Sequence, residues 1–201
     1  MYLSRLVFKC SPLTLNWLQN VYRVHQRVQL ALPNDPRPLY RLEQGHSDFY
    51  HLLVQSAIQR PDWNQAFDDL PLLQHAETNL YNPHYRPGMQ LAYRLRGCPT
   101  VTWNGRRYPL LNPAEQTEWL ERKLLAAGAE SHDCKIIKQD IQRAWKINPA
   151  GQCMTLTHHG VIFQGQLIVQ DPVQLLAAVR NGVGVAKGLG FGLLSIMVLR
   201  W

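Results

Sequence analysis

The sequence predicts an α+β chain in which one strand–helix–strand–strand layout is used twice. Short runs of alternating, β-forming residues open each half. A helix start led by proline follows in each, at Ser11-Pro12 and at Asn112-Pro113. The charge also divides by halves, neutral first and basic second. That order of elements is the ferredoxin-like (RRM-like) one, so two such domains in tandem are expected, at residues 1–90 and 91–201. The boundary is expected within 85–97, and no sequence repetition links the halves.

In the first half, MYLSRLVF alternates and reads as a strand. Ser11 is placed to cap a helix with Pro12 at its first position. Leu15, Leu18, Val21, Val28 and Leu32 then recur at helical spacing, which predicts one helix running to Pro33. PNDPRP ends it. Leu39 to Glu43 and Phe49 to Gln55 are strand-like, with turn residues Gly45, Ser47 and Asp48 between them. The segment 61–70 has no clear period.

The second half opens on Met89 to Leu95, which alternates. Thr100 to Tyr108 contains Asn104-Gly105, a strong hairpin-turn pair. Asn112-Pro113-Ala114-Glu115 has cap, proline and acid in capping-box order, starting a helix that runs to Gly128. Strand-like runs follow at 134–147, 153–157 and 161–169. Asp171-Pro172 starts a short helix, a glycine-rich loop follows it, and Leu193 to Leu199 reads as the last strand.

With 46% hydrophobic residues, the 201-residue chain can build a real core. Its opening residues are interrupted by Arg5 and Lys9, unlike a signal-peptide core, and Leu193–Leu199 is too short to span a membrane. Cys10, Cys98, Cys134 and Cys153 are widely spaced, which fits reduced thiols in a cytoplasmic protein better than disulfides or zinc ligands. The net charge of +7 comes wholly from residues 86–201, which hold fourteen cations against seven acids. No acid lies between Glu77 and Glu115, while Arg86, Arg94, Arg96, Arg106 and Arg107 do. Such a one-sided field suits a polyanion.

Tyr22 and His25 are three apart on the first helix and share a face. Two readings fit this spacing. A histidine can move protons in RNA cleavage while a tyrosine hydroxyl holds a phosphate oxygen. Leu18, Val21 and Val28 lie on the same face, however, which equally fits a satisfied core histidine. In the loop Gly182 to Gly192, five glycines surround Lys187; Gly188 and Gly190 allow close backbone approach to phosphate. A tight turn packed under a helix gives the same pattern. The loop is neither a P-loop nor a dinucleotide fingerprint. Arg94 and Arg96 share one strand face, and Arg106 and Arg107 follow the hairpin turn; each pair suits a clamp on an RNA backbone or, taken alone, ordinary solvated charge, and the acid-free stretch favours the first. Arg143 and Lys146 are further candidates for RNA contact. Adjacent His158 and His159 point to opposite faces, and Asp68-Asp69 has no acidic partner cluster, so neither a metal nor another cofactor is expected.

Five motifs in order resemble the CasE (Cse3) endoribonucleases of type I-E CRISPR systems from end to end. These are MYLSRLVF, Tyr22-x-x-His25, Leu91-x-Tyr-Arg-Leu-Arg96, Pro113-Ala-Glu115-Gln-x-x-Trp119-Leu-x-Arg122-Lys123-Leu, and Gly182-x-Gly184-x-x-Lys187-x-x-Gly190-x-Gly192-Leu-Leu-Ser195. The resemblance implies tandem ferredoxin-like domains and a metal-independent cut at the 3′ base of the CRISPR repeat stem-loop. The substrate's 2′-hydroxyl would be the nucleophile and a 2′,3′-cyclic phosphate a product, with the hairpin retained in Cascade beside other protein subunits. It assigns His25 as general acid/base and Tyr22 as its companion. It further implies RNA contacts from the arginine hairpin and the glycine loop. The sequence departs from the family at Gly97-Cys98-Pro99-Thr100-Val101, where Ala-Asn-Pro and a lysine are usual, and at Leu30, where some relatives carry a cation. Arg27 is the candidate substitute for that cation. A non-catalytic hairpin-binding subunit is the alternative, and a nucleotide site at the glycine loop a third.

Overall fold

The computed structural model describes residues 1–45, 48–147 and 150–199. The chain forms two compact units, the first of residues 1–82, 142–157 and 188–190, the second of 83–141, 158–187 and 191–201.

The first unit is built on β1 (Tyr2–Lys9), α1 (Pro12–Leu18), α2 (Val21–Ala31), β2 (Leu39–Gln44), β3 (Phe49–Ser56), α3 (Trp63–Phe67) and β4 (Leu73–Leu80). Its antiparallel sheet has the order β2-β3-β1-β4. Alternation in β1 turns Ser4, Leu6 and Phe8 inward. Phe8 meets Trp17 of α1 and Phe67 of α3 with ring centroids 5.3 and 5.5 Å apart, and Val24 and Val28 of α2 complete this core.

The helix expected over 12–32 is two helices. Asn20 is extended (φ −109°, ψ 96°), and its side-chain oxygen accepts from the Tyr22 N–H, so it caps a new helix. Short polar side chains compete with helical backbone bonds in this way. The ambiguous segment contains α3, capped by Asp62. Strand β4 was not expected: HAETN is polar, and its burial is partial because it is an edge strand. Ser47 of the expected turn lies outside the described residues.

The second unit contains β5 (Gln90–Gly97), a separate hairpin of β6 (Thr100–Trp103) and β7 (Arg106–Pro109), α4 (Pro113–Leu125), α5 (Pro172–Asn181) and β10 (Leu194–Val198); of a 3-10 turn at Lys187–Leu189, only Lys187 belongs to it. Two long strands, β8 (Ala129–Ile147) and β9 (Cys153–Val169), complete its sheet, ordered β10-β5-β9-β8. Their distal residues, 142–157, belong to the first unit. The runs expected at 153–157 and 161–169 are thus one strand. Numbered along each half, both sheets run 4-1-3-2, the order of a ferredoxin-like domain. Asn112 caps α4 as its sequence indicates, and Trp119 of α4 stacks on Phe163 of β9 at 6.2 Å.

Candidate active site and nucleic-acid interface

Within the first unit, Tyr22 and His25 project from α2 into a cavity of about 330 Å³. Their ring centroids are 6.1 Å apart, as side chains three positions apart on a helix require. Trp145, Met154 and Leu156 supply most of the opposite wall, Lys146 lines it too, and Gly188 and Leu189 close one side. Of the two readings of the α2 face, Val21, Val24 and Val28 form the buried stripe, while His25 stands at its margin, half-buried.

Asn20 fixes this wall. It is 3% exposed, donates from Nδ2 to the Trp145 carbonyl at 2.8 Å, and accepts at Oδ1 from the Trp145 N–H at 3.2 Å. One side chain thereby starts the helix of Tyr22 and His25 and holds the strand facing them. The loop side is tied down by the Tyr40 hydroxyl donating to the Gly188 carbonyl at 2.9 Å, and by Gln142 Nε2 donating to the Leu189 carbonyl at 2.5 Å. Gly190, at φ +84°, passes so close to Tyr40 that a Cβ would lie 3.0 Å from its ring. Asn20, Tyr40, Gln142 and Trp145 went unrecognised as site-builders. Asn20 had a legible signal, an Asn just before an apolar-periodic run, hidden by reading 12–32 as one helix.

His25 Nδ1 is buried against Gly188 and has no hydrogen-bond partner among the described residues. Nε2 is therefore the ring nitrogen left for a partner. Burial holds the His25 pKa below the ordinary histidine value. An imidazolium would need an acceptor at both nitrogens, and Nδ1 has none, so neutral imidazole is favoured. Arg27 does not reach this chemistry. Its guanidinium binds both carboxylate oxygens of Asp69 and the Ala66 carbonyl, linking α2 to α3. Leu30 is exposed.

The remaining expected residues divide between the units. Arg143 and Lys146 are exposed on the part of β8 that belongs to the first unit, which also contains Gly188 and Gly190. In the second unit, Arg94 is half-buried and donates to Gln164 Oε1 at 3.3 Å. Arg96 is 7% exposed, binds Asp140 at 2.7 and 3.0 Å and lies 4.9 Å over Phe191, so its charge is engaged inside the protein. Arg106 and Arg107 are exposed but opposite-facing: Arg106 pairs with Trp103 and Arg107 with Thr102. Lys187 donates to the Asn181 carbonyl at 2.7 Å, at the end of α5. Gly192 packs where a Cβ would lie 2.8 Å from the Val183 carbonyl. Part of the glycine loop thus serves turn packing, and only its 188–190 segment borders the histidine. Cys98, at the family departure, is buried 3.9 Å from His158 Nδ1, and burial pushes its thiol pKa up.

Two antiparallel sheets of 4-1-3-2 order, with an imidazole and a phenol on one helix face, define an α+β protein of tandem ferredoxin-like domains. Residues 1–197 match the model of the family described as CRISPR associated protein, and the chain belongs to that family. It is 30% identical over 213 residues to the CRISPR-associated endoribonuclease Cse3 of Thermus thermophilus, covering 98% of this chain and 99% of the relative. To the CRISPR system Cascade subunit CasE of Escherichia coli it is 30% identical over 217 residues, covering 99% and 100%. Its fold superposes on CRISPR endoribonuclease Cse3 bound to 19 nt RNA with a TM-score of 0.86, at 30% identity over 98% of this chain and 99% of that one.

Proposed function

We propose that this chain is a metal-independent endoribonuclease that cuts CRISPR precursor RNA at the 3′ base of the repeat stem-loop. It then keeps the hairpin as a subunit of Cascade, in the cytoplasm. The observation that carries the reading is the His25–Tyr22 pair in an apolar-walled cavity bordered by Lys146. Relatives of near-equal length named as endoribonuclease and Cascade subunit support it. Free thiols at all four cysteines fit a reducing compartment. Among the described residues no helix is long and apolar enough to cross a membrane.

In the proposed reaction the 2′-oxygen attacks the adjacent phosphorus and the bond to the 5′-oxygen breaks. One proton leaves the 2′-hydroxyl and one is taken up by the 5′-oxygen, giving a 2′,3′-cyclic phosphate and a 5′-hydroxyl. Neutral His25 is suited to one of these transfers through Nε2. Tyr22 holds a phosphate oxygen, and Lys146 supplies the cation that steadies the developing charge. The first domain carries the catalytic pair. The exposed Arg106 and Arg107 of the second, with Arg143, hold the backbone, assisted by Arg94.

The deciding experiment is incubation with labelled repeat hairpin, with and without EDTA, and with a 2′-deoxy residue before the cut. Cleavage of the all-ribose RNA unchanged by EDTA, with no cleavage of the deoxy RNA, is expected. Loss of activity on chelation, or cutting of the deoxy substrate, overturns the mechanism.

The histidine's environment predicts a pH profile. A base must be neutral to act, and the His25 pKa is lowered by burial. The acid limb of single-turnover kcat/KM should therefore fall below the ordinary histidine value, with activity flat through neutrality. NMR titration of the His25 ring in the free protein checks it; a midpoint above the ordinary value contradicts the environment described.

A further inference from the structure

Three segments line the His25 cavity opposite α2: β8 through Ala144, Trp145 and Lys146, β9 through Met154 and Leu156, and the loop through Gly188 and Leu189. Each continues directly into the second unit, β8 at Ile141, β9 at His158 and the loop at Phe191. One cluster of the second unit holds the roots of all three. Arg96 of β5 binds both carboxylate oxygens of Asp140, one residue before the β8 root. Its guanidinium carbon lies 4.9 Å from the centre of the Phe191 ring, and its carbonyl accepts from the Gly192 N–H at 2.8 Å. Phe191 in turn meets His158 edge-on, with ring centroids 5.9 Å apart. Gly160 closes against the same cluster. A Cβ there would run into Asp140 Oδ1 and lie 3.1 Å from both Arg96 Nη2 and the Phe191 ring.

Stability does not account for an arginine here. A buried ion pair loses to desolvation much of what it gains in attraction, and apolar residues of similar volume often serve a fold as well. Arg96 Nε, moreover, is buried with no partner among the described residues. What the pair adds is direction, since one planar group meets a carboxylate and a ring at set angles. We propose that Arg96 is a positioning residue for cleavage, fixing relative to one another the roots of the three segments that line the His25 cavity. Lys146 is six residues beyond Asp140. That is about 20 Å along an extended strand, so a tilt of about 3° at the root moves it by about 1 Å. Displacements of that size can cost about 10²-fold in rate. Asn20 and Gln142 also pin the wall, nearer the histidine, so a loss of about tenfold is expected here. In this role Arg96 acts through the wall and not on RNA, and the inference rests on the endoribonuclease reading above.

The test measures, on the full chain, single-turnover rates at saturating repeat hairpin, hairpin Kd, thermal melts and amide exchange by NMR. R96M/D140V replaces the ion pair by apolar residues and should melt within about 5 °C of wild type. It should nonetheless cut about tenfold more slowly, with Kd within about twofold. Its amides at 143–146 and 154–156 should exchange faster than in wild type, with those of β1 unchanged. R96K keeps the charge but not the planar group over Phe191, and should cut at a rate between the two. G160A keeps both charged groups and wedges them apart, so it should cut as slowly as R96M/D140V. A double variant that cuts within about twofold of wild type overturns the proposal, as does one whose wall amides exchange as in wild type. A weaker Kd with the saturating rate intact makes Arg96 an RNA contact and also overturns it. Should R96M/D140V fail to fold, G160A decides, and a wild-type rate from it overturns the proposal. If the wild-type chain cuts no hairpin, the functional reading fails, and amide exchange still decides whether Arg96 fixes the wall.

Discussion

His25→Ala is expected to lower the single-turnover cleavage rate by about 10²- to 10⁴-fold, the range that a positioned acid–base group supplies. Hairpin affinity should stay within about twofold of wild type, because the cations proposed to hold the backbone are on other elements and His25 is neutral at the start of the reaction. The loss should appear in the chemical step alone. Removing a ring at the margin of the α2 stripe exposes no core, so the variant should melt close to wild type, with Val24 and Val28 still buried. Tyr22→Phe keeps the ring and loses only the hydroxyl, and a smaller loss is expected from it. Rates measured with enzyme in excess, which makes the result independent of the proposed retention of product, check both. A His25→Ala protein that cuts within about threefold of wild type would return this residue to a packing role and leave the chain a hairpin-binding subunit.

Much of the frame was legible because its signals are local. Ser11, Asn112 and Asp171 announce helix starts by side-chain chemistry, and each caps its helix as read. Alternation in MYLSRLVF and in Met89 to Leu95 marked strands where β1 and β5 form. What stayed hidden depends on distant partners. Nothing near Arg96 says that Asp140 and Phe191 will take up its charge. The opposed directions of Arg106 and Arg107 follow from strand geometry, yet treating them as a pair concealed that Arg106 shares its face with Trp103. The α2 pair was visible as spacing, but spacing cannot say which side of a helix the core occupies. That is decided by the sheet beneath Val24 and Val28. The wall opposite His25 comes from residues about 120 positions later in the chain, brought there by the length of β8 and β9.

Asn20→Ala should be the most damaging substitution that touches no reacting group. The lost helix cap costs about 1 kcal/mol. Alanine also leaves the Trp145 N–H and carbonyl, both held by Asn20, without their buried partner, at about 1–3 kcal/mol more. Taken together, roughly 2–4 kcal/mol in a chain of this size corresponds to a Tm lower by about 5–15 °C. The effect on cleavage should exceed what the folded fraction explains. Tyr22 lies two residues after the cap, and Trp145 lines the cavity into which His25 projects. Asn20→Asp separates the two contributions. It keeps the oxygen that accepts from Tyr22 and Trp145, and its charge suits a helix N-terminus. It has no N–H for the Trp145 carbonyl and sets a carboxylate against it. The aspartate variant should therefore recover the cap but not the wall, melting between alanine and wild type while cleaving little better than alanine. Thermal melts followed by circular dichroism, and single-turnover rates taken well below each midpoint, test this directly. An Asn20→Ala protein melting within about 2 °C of wild type would mean that water replaces both contacts and that the wall stands without them.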